Sequence, residues 1–175
     1  MKREFASLTA REALHVAVFI EERNAEIYSQ FAELFDSFQD PESVDIAAAF
    51  WDMAQEERRH GAELQQRYLE RYGPEPCAIT EEEIRETVEL PKFQSGDIFA
   101  ITRAQVSRVP CNQALQIALA AESSALKFYT RLAEMTDDEE MRDLYEELAG
   151  DESQHTKALE RKIRGGQKLA ATREA

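Results

Sequence analysis

Asp151-Glu152-Ser153-Gln154-His155 sets a glutamate and a histidine three residues apart, and Glu56-Glu57-Arg58-Arg59-His60 repeats the arrangement earlier in the chain. Two of the three histidines lie in these stretches. On an α-helix, residues i and i+3 leave from one face, so each stretch can aim a carboxylate and an imidazole at a common point. That is a metal-ligand geometry. A single Glu-x-x-His in a glutamate-rich chain is a weak signal, so the discrimination must come from the surrounding pattern.

That pattern is helical throughout. Thr9-Ala10-Arg11-Glu12 has the form of a capping box, and Leu14, Ala17, Val18, Glu21, Ala25, Tyr28, Phe31, Ala32 and Phe35 follow at helical spacing until Asp36-Ser37. Asp40-Pro41 starts a second helix, with an inner face of Phe50, Met53, Ala54, Glu57, His60, Gly61, Leu64 and Tyr68, and Gly73-Pro74 ends it. Residues 73–110 carry four prolines and weaker periodicity and read as a connection. Within it, Thr80-Glu81-Glu82-Glu83 and Ser95-Gly96-Asp97 look like the caps of two short helices. A third long helix turns Leu115, Ala118, Leu119, Glu122, Ala125, Leu126, Tyr129, Leu132 and Ala133 inward. The box Thr136-Asp137-Asp138-Glu139 opens a fourth, with Met141, Leu144, Tyr145, Leu148, Ala149, Glu152, His155 and Leu159 on its stripe. Gly165-Gly166 is expected to end it, leaving 166–175 as a flexible tail after a single domain spanning 1–165.

The two halves repeat each other. Laying Glu21 on Glu122 also superposes Ala13, Leu14, Ala17, Tyr28, Ala32 and Glu33 on Ala114, Leu115, Ala118, Tyr129, Ala133 and Glu134. Laying Glu57 on Glu152 aligns Ala54, His60 and Leu64 with Ala149, His155 and Leu159. The matched set is therefore Glu21, Glu57, His60, Glu122, Glu152 and His155. Short turns within each half make two antiparallel hairpins, and the long connection lets helices two and three run parallel. The expected fold is all-α, a four-helix bundle with one long crossover, the ferritin-like arrangement.

The totals agree with this. A chain of 175 residues can bury a core without disulfides. A formal charge of -14 argues against nucleic acid and anionic membranes as partners and suits a cation site. No leading apolar run marks a signal peptide and no stretch reaches membrane-spanning length, so a cytoplasmic location is expected. Cys77 and Cys111 form no Cys-x-x-Cys pair and should be free thiols near opposite ends of the bundle.

Four glutamates at core-facing positions repel one another and resist burial unless a counter-charge is present. Two divalent cations would supply +4 against their -4. Tyr28 and Tyr129, two turns after Glu21 and Glu122, read either as core tyrosines or as hydrogen-bond donors to a ligand carboxylate. Glu56 and Asp151 read either as solvated surface charges or as partners for the outer ring nitrogen of a histidine on a facing helix. His15 lies off the Glu21 face and is expected not to be a ligand, and Trp51 is expected to pack.

Over all four long helices these residues resemble the rubrerythrin-like branch of the ferritin-like superfamily. The resemblance rests on the Glu21 to Tyr28 and Glu122 to Tyr129 spacings and on the two Glu-x-x-His motifs. It implies that Glu57 and Glu152 bridge two irons, that Glu21 and His60 serve one of them, and that Glu122 and His155 serve the other. Three departures bear on function. No rubredoxin-type Cys-x-x-Cys pairs are present, so electrons would come from a separate carrier such as a rubredoxin. Typical rubrerythrins have a further glutamate where this chain has Ala125, with Asn24 as its counterpart in the first half, so the ligand set is closer to a bacterioferritin ferroxidase centre. The haem-holding methionine of bacterioferritins is Arg58 here, so no haem is expected.

The leading expectation is a homodimeric, non-haem di-iron oxidoreductase that reduces hydrogen peroxide or dioxygen, with no catalytic residues beyond the metal ligands. Manganese is an alternative metal. A ferroxidase or iron-storage protein is the alternative function, and a non-catalytic bundle stabilised by its metals is a third.

Overall fold

Each of the first two helices begins where a side-chain oxygen takes over a free backbone N–H. In the computed structural model, which describes residues 5–88 and 109–173, Thr9 accepts from the Glu12 N–H and the Glu12 carboxylate accepts from the Thr9 N–H at 2.9 Å. This box opens helix α1, Ala10–Asp36. Helix α2, Pro41–Tyr72, starts with Asp40 accepting from the Ser43 N–H at 3.0 Å and with proline in its first turn. It stops at Gly73, whose φ of 73° is one that a side chain would oppose. Thr80 and Glu83 form the expected box of a short helix α3, Glu81–Thr87. The Ser95-Gly96-Asp97 cap lies outside the described residues. Helices α4, Val109–Met135, and α5, Glu139–Arg173, complete the fold.

Two boundaries differ from expectation. The first is the start of α5. Thr136 does not cap it, because its N–H still bonds Leu132 O at 3.0 Å and so belongs to the end of α4. Asp138 takes the role instead, accepting from the Met141 N–H at 3.1 Å. The second is its end: α5 runs through Gly165-Gly166 to Arg173. A terminating glycine needs a positive φ, and among the described glycines Gly73 alone has one.

The chain directions follow from cross-helix bonds. Tyr28 reaches Glu122 while Tyr129 reaches Glu21, so α1 and α4 are antiparallel neighbours. His60 faces Asp151 and His155 faces Glu56, which makes α2 and α5 antiparallel neighbours as well. With the α1–α2 and α4–α5 hairpins, α2 and α4 run parallel in a ferritin-like bundle. Packing is most extensive within each hairpin. Arg71 ties the end of α2 to the start of α5 through Asp138 at 2.5 Å and Glu140 at 3.0 Å.

The core is divided along the bundle axis. One apolar cluster holds Leu14, Ala17, Leu64, Tyr129, Leu132, Tyr145 and Leu148, and the other holds Tyr28, Phe31, Phe35, Phe50, Leu115 and Leu159. Residues 21, 57, 60, 122, 152 and 155 fall between them on every helix, so the polar layer is sealed on both sides by apolar packing. Trp51 departs from expectation and lies at the surface, 36% exposed, among residues that face away from the core. Cys77 is a half-buried free thiol, and the Cys111 side chain lies outside the described residues. No described helix is long and apolar enough to cross a membrane.

Candidate metal centre

Four carboxylates converge at the middle of the bundle, one from each long helix. Glu21, Glu57, Glu122 and Glu152 are all 0% exposed. Gly61 lets the first two approach, since a Cβ there would stand 3.3 Å from Glu21 Cβ. Two ligand sets result, in each of which one atom per residue lies within 4.8 Å of all the others. The first is Glu21, Glu57, His60 and Glu152; the second is Glu57, Glu122, Glu152 and His155. Glu57 and Glu152 belong to both, while Glu21 with His60 and Glu122 with His155 each belong to one.

The histidines face inward by their Nδ1 atoms. His60 Nδ1 is 3.5 Å from Glu21, and His155 Nδ1 is 3.3 Å from Glu122 and 3.5 Å from Glu57. Their outer nitrogens cross to the facing helix. His60 Nε2 stands 3.3 Å from Asp151 and His155 Nε2 stands 2.8 Å from Glu56. Such a carboxylate accepts the Nε2–H and leaves the Nδ1 lone pair for the centre. Tyr28 donates to Glu122 and Tyr129 to Glu21, so each hydroxyl crosses from one half of the repeat to the other. Tyr28, Tyr129 and Glu56 each make a hydrogen bond to a converging residue, while Asp151 faces His60 as an ion pair. His15 stands apart, beside the Tyr68 ring.

The electrostatics are those of a site suited to a cation. Neither oxygen of Glu57 or Glu152 accepts a hydrogen bond, nor does Glu21 Oε2, and His60 Nδ1 makes none either. Burial, together with the charges of the neighbouring glutamates, pushes Glu57 and Glu152 well above the usual carboxylate range. Burial also raises Glu122, but contacts with Glu152, His155 and Tyr28 outweigh it and bring this group below its ordinary value. Burial lowers His155, yet Glu122 and Glu56 overcome it and lift the imidazole to about 9. His60 is raised for the same reason, by Glu21 and Asp151. The donor set of carboxylate oxygens with one imidazole per position suits iron, manganese or another first-row divalent ion. Orphaned oxygens on the pair of glutamates common to both sets fit two such ions.

Two further features were not singled out by spacing. Asn24, one turn after Glu21, is 1% exposed and has no partner for either amide atom. Its polarity inside an apolar stripe is the signal that marks it. A cavity of about 220 Å³ opens between α2, α4 and α5, lined by Phe50, Met53, Leu115 and Leu159 and reaching Glu56 and His155.

The rubrerythrin family model matches residues 12–107 and 113–172. Among solved structures, the chain is similar to an uncharacterized conserved protein from Magnetospirillum magnetotacticum MS-1, with 24% identity, a TM-score of 0.68, and coverage of 90% of this chain and 95% of that one. It is also similar to a hypothetical protein from Pyrococcus furiosus, with 23% identity, a TM-score of 0.69, and coverage of 91% and 90%. No curated protein matches the sequence. The structural likenesses bear on fold alone, whereas the family model spans nearly the whole chain and all six converging residues. The chain belongs to the rubrerythrin family.

Proposed function

We propose that this protein is a non-haem di-iron oxidoreductase that reduces hydrogen peroxide or dioxygen with electrons from an external carrier such as a rubredoxin. The observation that carries the reading is the pair of four-residue sets sharing Glu57 and Glu152, whose oxygens are buried and without a donor. Glu57 and Glu152 would bridge the two irons, Glu21 and His60 would complete one position, and Glu122 and His155 the other. When bound, the iron pair supplies the two electrons that, with two protons, convert hydrogen peroxide to two waters.

The chain's own contribution is to hold and shield this set. Tyr28 and Tyr129 fix the rotamers of Glu122 and Glu21 from the opposite half of the bundle. Asp151 and Glu56 hold the imidazoles with Nδ1 inward. Apolar clusters on both sides keep bulk water from the carboxylates, while the cavity beside His155 gives a small neutral oxidant a way in. Manganese in place of iron would use the same ligands.

The test is to load the metal-free protein with Fe(II) without oxygen, count irons per chain, and mix it with peroxide and with dioxygen separately. Fast, stoichiometric oxidation by one of them is expected. Glu57→Ala and Glu152→Ala should each lose the two-iron complex. Two irons per chain in either variant would show that the bridging assignment is wrong.

A further inference from the structure

Among the described residues, three side chains have every polar atom buried and without a partner: Glu57, Glu152 and Asn24. On the metal-centre reading the first two are ligands of a cation. An amide in the same state demands a similar explanation, since buried polar groups are otherwise satisfied. Asn24 lies three residues after Glu21 and four before Tyr28, so it shares the face of α1 from which both reach the centre. The bonds Tyr28–Glu122 and Tyr129–Glu21 set the register of α1 against α4. In that register Asn24 comes opposite Ala125 and Leu126. Ala125 is also its counterpart in the internal repeat and is fully buried. The second half therefore packs with a methyl where the first half carries an amide, so packing alone does not require the amide.

We propose that Asn24 is a ligand-binding residue of the centre: its amide N–H donates a hydrogen bond to the small exogenous ligand, of the peroxide or azide class, that the centre binds. The inference rests on the metal-centre reading above. The repeat is broken at this position, so the donor serves one side of an otherwise two-fold arrangement.

Azide is the probe. Wild-type, Asn24→Leu and Asn24→Ala proteins are loaded with iron, oxidised, assayed for metal content and titrated with azide while its absorption band is followed. The metal-free forms are unfolded thermally in parallel. Both variants should hold as much iron as the wild type and bind azide at least about tenfold more weakly, the worth of a hydrogen bond to an anion. Metal-free Asn24→Leu, near in size but without the orphaned amide, should unfold at or above the wild-type midpoint. The two replacements differ in volume, so one reports if the other fails to fold. Unchanged azide affinity at equal iron content overturns the inference, as does wild-type protein that holds two irons and binds no azide. A midpoint lowered in Asn24→Leu with azide affinity unchanged assigns Asn24 to packing. Failure of the wild type to bind iron at all instead removes the metal-centre reading, and this inference with it.

Discussion

Glu57 and Glu152 sit between charges of their own sign, and without metal they keep protons to higher pH than an ordinary carboxylate does. His155 also keeps its proton, up to about 9. These shifts have one sign in their effect on stability. A folded-state pKa above the unfolded value means the native state holds the extra proton, so stability falls as pH rises between the two values. For His155 the contribution is present in full below 6.5 and is lost as pH climbs to about 9. For Glu57 and Glu152 it is lost upward from 4.5. Glu122 acts the other way, giving stability above 4.5 that is lost as pH falls through its lowered value, one group against these three and the likewise raised His60. The metal-free protein should therefore be less stable at pH 9 than at pH 6. Metal binding near pH 7 must also expel the His155 proton, together with whatever the two glutamates hold at that pH. Calorimetric titration of the metal-free protein with a divalent ion, repeated in buffers of different ionisation enthalpy, should give heats that track the buffer with the sign of proton release. Heats independent of buffer would mean that the carboxylates and His155 were already ionised and neutral, respectively.

At the scale of the element, the start of α5 separates two capping patterns that overlap in the sequence. Thr136 fits Thr-x-x-Glu, but its backbone still closes α4 and only its hydroxyl, which accepts from the Asp138 N–H at 3.3 Å, faces forward. Asp138→Ala should cost roughly 0.5–2 kcal/mol in chemical denaturation, the usual worth of an N-cap, and Thr136→Ala clearly less. Its pair with Arg71 adds little, because both groups are partly exposed. Equal losses from the two variants would return the cap to Thr136. Caps such as Thr9, Asp40 and Thr80 were legible because each needs only a few consecutive residues. Asp138 was not, because deciding it requires knowing where the preceding helix lets go. Gly165-Gly166 misled for a related reason: glycine permits a stop but does not impose one, and Gly165 has open space around it rather than a turn. The same limit applies across helices. The repeat brought Glu21, Glu57, His60, Glu122, Glu152 and His155 into one set from spacing alone. Whether Glu56 and Asp151 reach a histidine depends on the register of α2 against α5, which no local pattern carries.

The molecule as a whole consists of two well-packed hairpins whose shared polar layer opposes their association until it is neutralised. Glu21 and Glu57 come from one hairpin, Glu122 and Glu152 from the other, and the two shared ligands are split between them. A metal pair would therefore act as a clamp as well as a reaction centre, turning mutual repulsion across the hairpin interface into common ligation. The two cross-bundle tyrosine bonds and the two apolar clusters use no metal, so the metal-free chain should still fold. It should fold less stably. At a free ion concentration a hundredfold above each dissociation constant, one site contributes about 2.7 kcal/mol, so two contribute about 5 kcal/mol. For a domain of this size each kcal/mol moves Tm by about 2–4 °C, which gives a difference of roughly 10–20 °C between loaded and metal-free protein. Thermal unfolding after dialysis against a chelator, followed by return of the ion, measures it directly. A midpoint that stays put through both steps would mean that the six residues hold no ion between the hairpins. In the Glu57→Ala protein the gap between the two midpoints should shrink, because one of the two carboxylates that join the hairpins through metal is gone.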